Sequence, residues 1–176
     1  MTAPGFVLRA PRAEDVLAYC GFLADPEVHV WLEDRCQRPL SLPEVQAFVL
    51  GPAWCRWAIE CDGAFVGLTG LEDYDATRAT ARFFIVVGER TLWGKGLGEA
   101  VIRRVLAHGF QGLGLRKIVS DFMAPNQGSR LIHERAGFQA EGCARKDSWR
   151  QGRWVDRIYV AIFRDEFDAQ AQGGRP

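Results

Sequence analysis

Residues 86–110, VVGERTLWGKGLGEAVIRRVLAHGF, constrain the fold more than any other stretch. An apolar strand runs into a glycine-dense turn, and the turn opens a long amphipathic helix. Trp93-Gly94-Lys95-Gly96-Leu97-Gly98 strips side chains from the backbone where Ala100, Val101, Ile102, Val105, Leu106 and Phe110 begin a helical apolar pattern. The first N–H groups of a helix have no partner inside it and lie at the positive end of its dipole. A diphosphate suits such a turn, because glycine lets the backbone approach an anion closely.

The spacing excludes two other phosphate loops. A Walker loop places Lys-Ser or Lys-Thr after its last glycine, whereas Gly98 is followed by Glu99 and Ala100. A dinucleotide loop needs G-x-G-x-x-G early in a βαβ unit with an acidic residue about 20 residues on, and that pattern is absent.

With 176 residues the chain is long enough for one substantial core, and a single domain over residues 1–168 with a flexible tail over 169–176 is expected. Lys plus Arg and Asp plus Glu are each 22, so no overall basic field argues for nucleic acid. No apolar run approaches a membrane span, and no basic segment followed by an apolar core opens the chain, so a cytoplasmic protein is expected. Cys20, Cys36, Cys55, Cys61 and Cys143 are odd in number and form no C-x-x-C pair. That argues against a disulfide framework and a zinc site, and leaves them mostly as buried small hydrophobes. His29 and His108 have no ligand spacing, so no metal is expected.

In chain order, Phe6–Arg9 suits a first strand, Glu14–Leu23 a helix, and Asp25-Pro26 the start of a short helical piece. Ser41 with Glu44 forms a capping-box signature. Asp62-Gly63 between two apolar runs predicts a hairpin. Thr80–Val87 reads as the fourth strand after a polar turn at Asp73–Arg78, and Lys117–Phe122 as the fifth after a loop at Gly112–Gly114. Asn126 caps a short helix, and Phe138–Trp149 with Arg153–Phe163 makes a last hairpin around Gln151-Gly152. The order is mixed α and β around one central sheet.

Two segments resemble one family. WGKGLGEA after IVVGER is similar to the acetyl-CoA-binding segment of the GNAT acetyltransferases, especially the RimJ/RimL-type branch, which accepts an aromatic residue at Trp93. Asn126 to Phe138, with Asn126, Ser129, Gly137 and Phe138 at matching places, resembles the family's second cofactor segment. The likeness extends more loosely from Leu8 to about Phe167. It implies an α/β (mixed α+β) GNAT-like fold: a central, mostly antiparallel mixed sheet of six to seven strands flanked by helices, split between the fourth and fifth strands. It also implies acetyl-CoA as donor substrate, no metal, and an amine acceptor. On that reading, the backbone of Ile85, Val86 and Val87 would face the pantetheine, aided by a bulge. Trp93, Gly94, Lys95, Gly96, Leu97 and Gly98 would hold the diphosphate, and Asn126 and Ser129 would touch the coenzyme.

Acetyl transfer also needs a base for the amine and a proton for the departing thiolate. Glu72 is the favoured base, just past the third strand, with Asp73 and Glu89 as alternatives. Asp34, Asp75 and Asp156 are candidates for holding a cationic acceptor, and Arg145, Arg150, Arg153 and Arg157 for facing an acidic group. Ser129 matches the serine that the resemblance assigns to the thiolate. His133 stands where many members of the family have tyrosine, and is either a proton donor or a solvated helix residue. A peptide N-terminal amine, with a pKa near 8, is about a tenth neutral at pH 7 and needs only a weak base. A peptide or protein N-terminus is therefore placed ahead of a small amine such as an amino sugar, aminoglycoside, polyamine or amino-acid-like metabolite. The rival from another class is a non-catalytic acyl-CoA-binding sensor. The last hairpin offers an edge for a homodimer, and the sequence leaves assembly open.

Overall fold

The Asp62-Gly63 and Gln151-Gly152 signals become reversals of the chain in the computed structural model, which describes residues 3–173. The strands are β1 (Val7–Arg9), β2 (Cys55–Cys61), β3 (Ala64–Asp75), β4 (Thr80–Val87), β5 (Lys117–Met123), β6 (Gln139–Arg150) and β7 (Arg153–Phe163). The helices are α1 (Ala13–Ala24), α2 (Pro26–His29), α3 (Leu42–Leu50), α4 (Leu97–Ala107), α5 (Gln127–Ala136) and α6 (Arg164–Gly173). The seven-stranded sheet is ordered β1-β2-β3-β4-β5-β7-β6. It is mixed: β4 runs parallel to β5, whereas β1–β2, β5–β7 and β6–β7 are antiparallel. This is the mixed, helix-flanked sheet expected.

The chain forms two compact units. One contains the residues up to Gly70 with Ile85–Leu97; the other contains Leu71–Phe84 and the residues from Gly98 on. In the first unit, Arg9 on β1 grips Asp15 of α1 with two bonds of 2.7 and 2.8 Å, and also pairs with Glu60 of β2. Asp15 accepts the Arg12 amide at 2.7 Å and closes a capping box at the start of α1. The Ser41–Glu44 box opens α3 as expected. Tyr19 of α1 faces Phe48 of α3, while Phe22 stacks on Phe65.

In the second unit, α4 inserts Val101, Ile102, Val105 and Leu106, followed by Phe110, all fully buried. The helix does not end in the expected loop at Gly112. It widens into a π turn over His108–Gly112, where Gly109 sits so close to Ile118 and Leu71 that a Cβ would lie 2.7 Å from Ile118 Cδ1. Opposite charges run across five strands: Asp73 (β3), Arg82 (β4), Asp121 (β5), Arg157 (β7) and Asp147 (β6). Arg82 Nε lies 3.3 Å from Asp73 and also pairs with Asp121; Arg157 meets Asp121 at 2.5 Å and Asp147 at 2.6 Å. β6 bulges between Ala144 and Ser148, where Asp156 accepts the Lys146 amide at 2.8 Å.

Two boundaries differ from expectation. β3 continues through Asp75, so Glu72 and Asp73 lie within the strand and the turn begins later. Ala169–Gly173, expected as part of a loose tail, are the last turns of α6, because Phe167 packs on Phe110 and Glu166 accepts the Phe163 amide at 2.8 Å. Residues 174–176 lie outside the described residues.

Candidate active site

The candidate residues fall into one group in each unit. In the first unit, β4 ends in a bulge. The amides of two successive residues, Gly88 and Glu89, both donate to the Val66 carbonyl, at 2.9 and 3.3 Å. Two residues opposite one is the signature of a bulge, which bends the strand and breaks its ladder. The backbone of β3 presses close at this point: a Cβ on Gly67 would lie 2.1 Å from the Val86 carbonyl oxygen. Phe22 covers Gly88, where a Cβ would come within 1.9 Å of its ring. Ile85, Val86 and Val87 are left half-buried, which is unusual for three consecutive apolar residues of a central strand.

After the bulge the chain makes one 3₁₀ turn at Arg90–Leu92. Glu89 caps it, accepting the Thr91 amide at 3.1 Å and the Thr91 hydroxyl at 2.7 Å. Those bonds hold the Glu89 carboxyl below its usual pKa. The loop then turns through Gly94 and Gly96, at φ +71° and +83°, directly before α4. Among the described residues, and apart from its chain neighbours, no atom lies within 4 Å of where a Cβ on Gly94 would stand. The fold therefore leaves open space at Gly94 and spends left-handed conformations on the turn, as a cradle for an anion at a helix start requires. Lys95 is exposed beside it. Trp93 donates its indole N–H to the Val87 carbonyl at 2.9 Å, so that carbonyl, expected to be open to the pantetheine, already has a partner. The sequence reading missed this bond, because it links residues that only the loop's curvature brings together.

In the second unit, Asn126 caps α5 by accepting the Ser129 amide at 3.0 Å. Ser129 is half-buried in the first turn. His133 is 2% exposed, caged by Phe83, Phe122 and Phe138 with centroids 5.9, 5.4 and 5.0 Å away. The expectation of a solvated helix residue is therefore corrected. Its Nδ1 lies 2.7 Å from the Ser129 carbonyl and 3.4 Å from the Ser129 hydroxyl; its Nε2 lies 2.9 Å from Ser120 Oγ. A carbonyl only accepts, so the network assigns a proton to Nδ1, while the single hydroxyl proton of Ser120 goes either to Nε2 or to the Phe83 carbonyl. Burial lowers the His133 pKa, opposed by the bond to the Ser129 carbonyl and the charge of Asp121.

The other candidates separate by environment. Glu72 is half-buried on β3. Asp73 pairs with Arg82; Asp75 accepts the Arg78 amide at 3.0 Å; Asp156 accepts Lys146. Arg157 is locked between Asp121 and Asp147, which removes it as a partner for an acidic acceptor. Of the five cysteines only Cys61 is buried, so the expectation of mostly buried thiols is corrected; Cys143 is exposed and the rest are half-buried. Among the described residues no group of three or more His, Cys, Asp or Glu converges, and no helix is long and apolar enough to cross a membrane.

The pattern described as an acetyltransferase (GNAT) domain matches residues 6–139. The chain belongs to the GNAT family. One relative of this GNAT chain, the SPbeta prophage-derived uncharacterized N-acetyltransferase YokL of Bacillus subtilis (strain 168), is 32% identical over 111 residues, 63% of this chain and 62% of that protein. The putative ribosomal N-acetyltransferase YdaF of the same organism is 27% identical over 109 residues, covering 62% and 59%. The spermidine N(1)-acetyltransferase of Escherichia coli (strain K12) is 27% identical over 115 residues, covering 65% and 61%. The chain thus spans about three fifths of the length of these curated relatives. The fold of a Vibrio cholerae spermidine N-acetyltransferase, solved with CoA and spermine, superposes with a TM-score of 0.80 at 22% identity, over 92% of this chain and 97% of that one.

Proposed function

We propose that this GNAT protein transfers the acetyl group of acetyl-CoA to a small primary amine by direct attack. The observation that carries the reading is the sequence of bulged strand, positive-φ glycine turn and helix start from Ile85 to Gly98. Such a segment offers strand backbone to an amide-bearing chain at one end and an anion cradle at the other. The amides of Gly94–Gly98 would hold the diphosphate, with the Lys95 ammonium at its edge and Trp93 fixing the curve. The backbone of Ile85 and Val86, with Val87 through its amide, would take the pantetheine.

In the reaction, the amine nitrogen forms a bond to the thioester carbonyl carbon and the carbon–sulfur bond breaks. The amine gives up a proton and the thiolate gains one. We assign the first proton to Glu72, directly or through water, and the second to the Ser129 hydroxyl, which takes a proton from water as it gives its own to the thiolate. Asn126 presents the first turn of α5. His133, buried and engaged through both nitrogens, acts through Ser129 and is not itself the acid. A thiol leaving group with a pKa near 8.5 needs little assistance, so Ser129 contributes modestly.

The small-amine acceptor is favoured over a peptide N-terminus by the spermidine N(1)-acetyltransferase relative and by the fold of the Vibrio cholerae spermidine enzyme. The likeness to the putative ribosomal N-acetyltransferase keeps the peptide as the second reading. A thiol-release assay with acetyl-CoA against spermidine, simple alkylamines, an aminoglycoside and peptides with free N-termini separates them. Release with small amines alone is expected. Release only with peptides would reverse the order, and acetyl-CoA binding with no release from any amine would make the protein an acyl-CoA sensor.

A further inference from the structure

The parallel ladder between β4 and β5 is short: Thr80, Ala81 and Arg82 pair with Lys117, Ile118 and Val119, and no further. One residue on, the Phe83 carbonyl faces β5 but meets a side chain there, the Ser120 hydroxyl at 3.1 Å. The same oxygen lies 2.9 Å from His133 Nε2, and Ser120 is 3% exposed. The His133 ring continues the chain to the Ser129 carbonyl at 2.7 Å. Four groups from three elements, the Phe83 carbonyl, Ser120 hydroxyl, His133 imidazole and Ser129 carbonyl, thus form one buried line where the two strands stop pairing.

We infer that Ser120 is a positioning residue of the transferase, a polar wedge that ends the β4–β5 ladder at Arg82 and ties that point through His133 to the first turn of α5. This rests on the acetyl-CoA reading above. Carbonyls alternate along a strand, so the edge that Phe83 presents is presented again by Ile85, part of the backbone proposed to receive the pantetheine, whereas the Val87 carbonyl is already held by the Trp93 indole. Where the ladder stops decides where that edge begins. Arg82 is the last residue of β4 that pairs with β5, and the Ser120 hydroxyl met at Phe83 is joined through the His133 ring to Ser129, the residue proposed to protonate the thiolate. A side chain is needed because a backbone amide on Phe83 would extend the ladder toward the very residues the coenzyme uses. The surrounding rings of Phe83, Phe122 and Phe138 exclude water from the line, so a lost hydroxyl has no substitute.

The test compares Ser120→Ala, His133→Phe and the double variant with the unchanged protein, by calorimetry with acetyl-CoA, thiol-release kinetics and thermal melting. Each single change is expected to raise the KM and Kd for acetyl-CoA about tenfold, the scale of one buried hydrogen bond, while the KM for the amine stays put. Because both act through one line, the double variant is expected to be no worse than the worse single. Ser120→Thr, which keeps the hydroxyl, is expected to recover most of the affinity. Should Ser120→Ala not fold, Ser120→Cys keeps the volume with a weak donor and is expected to show the same selective rise. A lowered melting temperature with unchanged acetyl-CoA parameters would overturn the inference, as would independent effects that multiply in the double variant. If the unchanged protein binds no acetyl-CoA, the donor reading fails and this inference with it. If it binds and Ser120→Ala binds equally well, only the inference fails.

Discussion

Gly67 carries no charge and touches no expected ligand, yet it decides whether β4 can bend. Its missing Cβ is what lets the Val86 carbonyl approach, since a methyl group would sit 2.1 Å from that oxygen. Gly67→Ala is expected to destabilise the fold by about 2 kcal/mol or more through overpacking, and to weaken acetyl-CoA binding in whatever protein remains folded; denaturant titration and calorimetry report the two effects. Glu72 is tested by Glu72→Gln, which keeps the shape and removes the base. A fall in kcat of about a hundredfold at pH 7, with the melting curve unchanged, is expected. His133 makes a prediction about pH. Its folded pKa lies below the unfolded value near 6.5, so the unfolded chain binds more protons just below that pH, and stability must fall as pH drops from about 7 toward the lowered folded value. The slope reaches at most about 1.4 kcal/mol per pH unit from this one group. Asp15 is also held below its usual pKa; its burial raises the value, and the bonds from Arg9 and the Arg12 amide more than offset that. Its contribution is present above the unfolded carboxylate value and is lost at more acid pH, outside the histidine window. Urea melts at pH 5.5 and 7.5 on the wild type and His133→Phe check the point, with the variant expected to lose most of the difference. The burial of His133 was not legible in the sequence: Glu134 and Arg135 follow it, and the rings that cage it come from positions 83, 122 and 138.

Elements with a local chemical signature were readable at the level of single residues. The Ser41–Glu44 box, the Asp62-Gly63 and Gln151-Gly152 turns and the Asn126 cap all stand where the sequence puts them. Each depends on contacts within a few residues. Asn126→Ala removes the bond to the Ser129 amide and is expected to cost about 1 kcal/mol, seen in thermal melting, and to lower acetyl-CoA affinity through loss of the proposed coenzyme contact, seen in calorimetry. The features missed depend on distant partners. β3 runs on to Asp75 because Arg82 of β4 faces Asp73 across the sheet, though Asp and Glu alone read as a turn. α4 ends in a π turn because Gly109 packs on Ile118 and Leu71, which no local pattern announces. The shortness of the β4–β5 ladder, three residue pairs, has no local signature in the sequence. The Ser120 hydroxyl that meets the Phe83 carbonyl one residue beyond the ladder can be seen only with both strands in place.

For the whole molecule, the balanced charge leaves recognition to local features, of which the turn at Gly94–Gly98 is the one proposed to take an anion. The five cysteines show no common site, so a protein with all five replaced is expected to keep its turnover, which direct attack requires. Saturating acetyl-CoA at about a hundred times its Kd is expected to stabilise the fold by about 2.7 kcal/mol, visible as a concentration-dependent rise in melting temperature. The most direct measurement is calorimetric titration of acetyl-CoA into the wild-type protein and into Gly94→Val. Among the described residues no atom beyond the chain neighbours would meet the Gly94→Val side chain at its Cβ, but the side chain would resist a φ of +71° and fill the space proposed for the diphosphate. One-to-one binding by the wild type, weakened at least about tenfold in a variant with a near-normal melting curve, is the expected result. No heat from the wild type, or equal affinity in the two proteins, would contradict it.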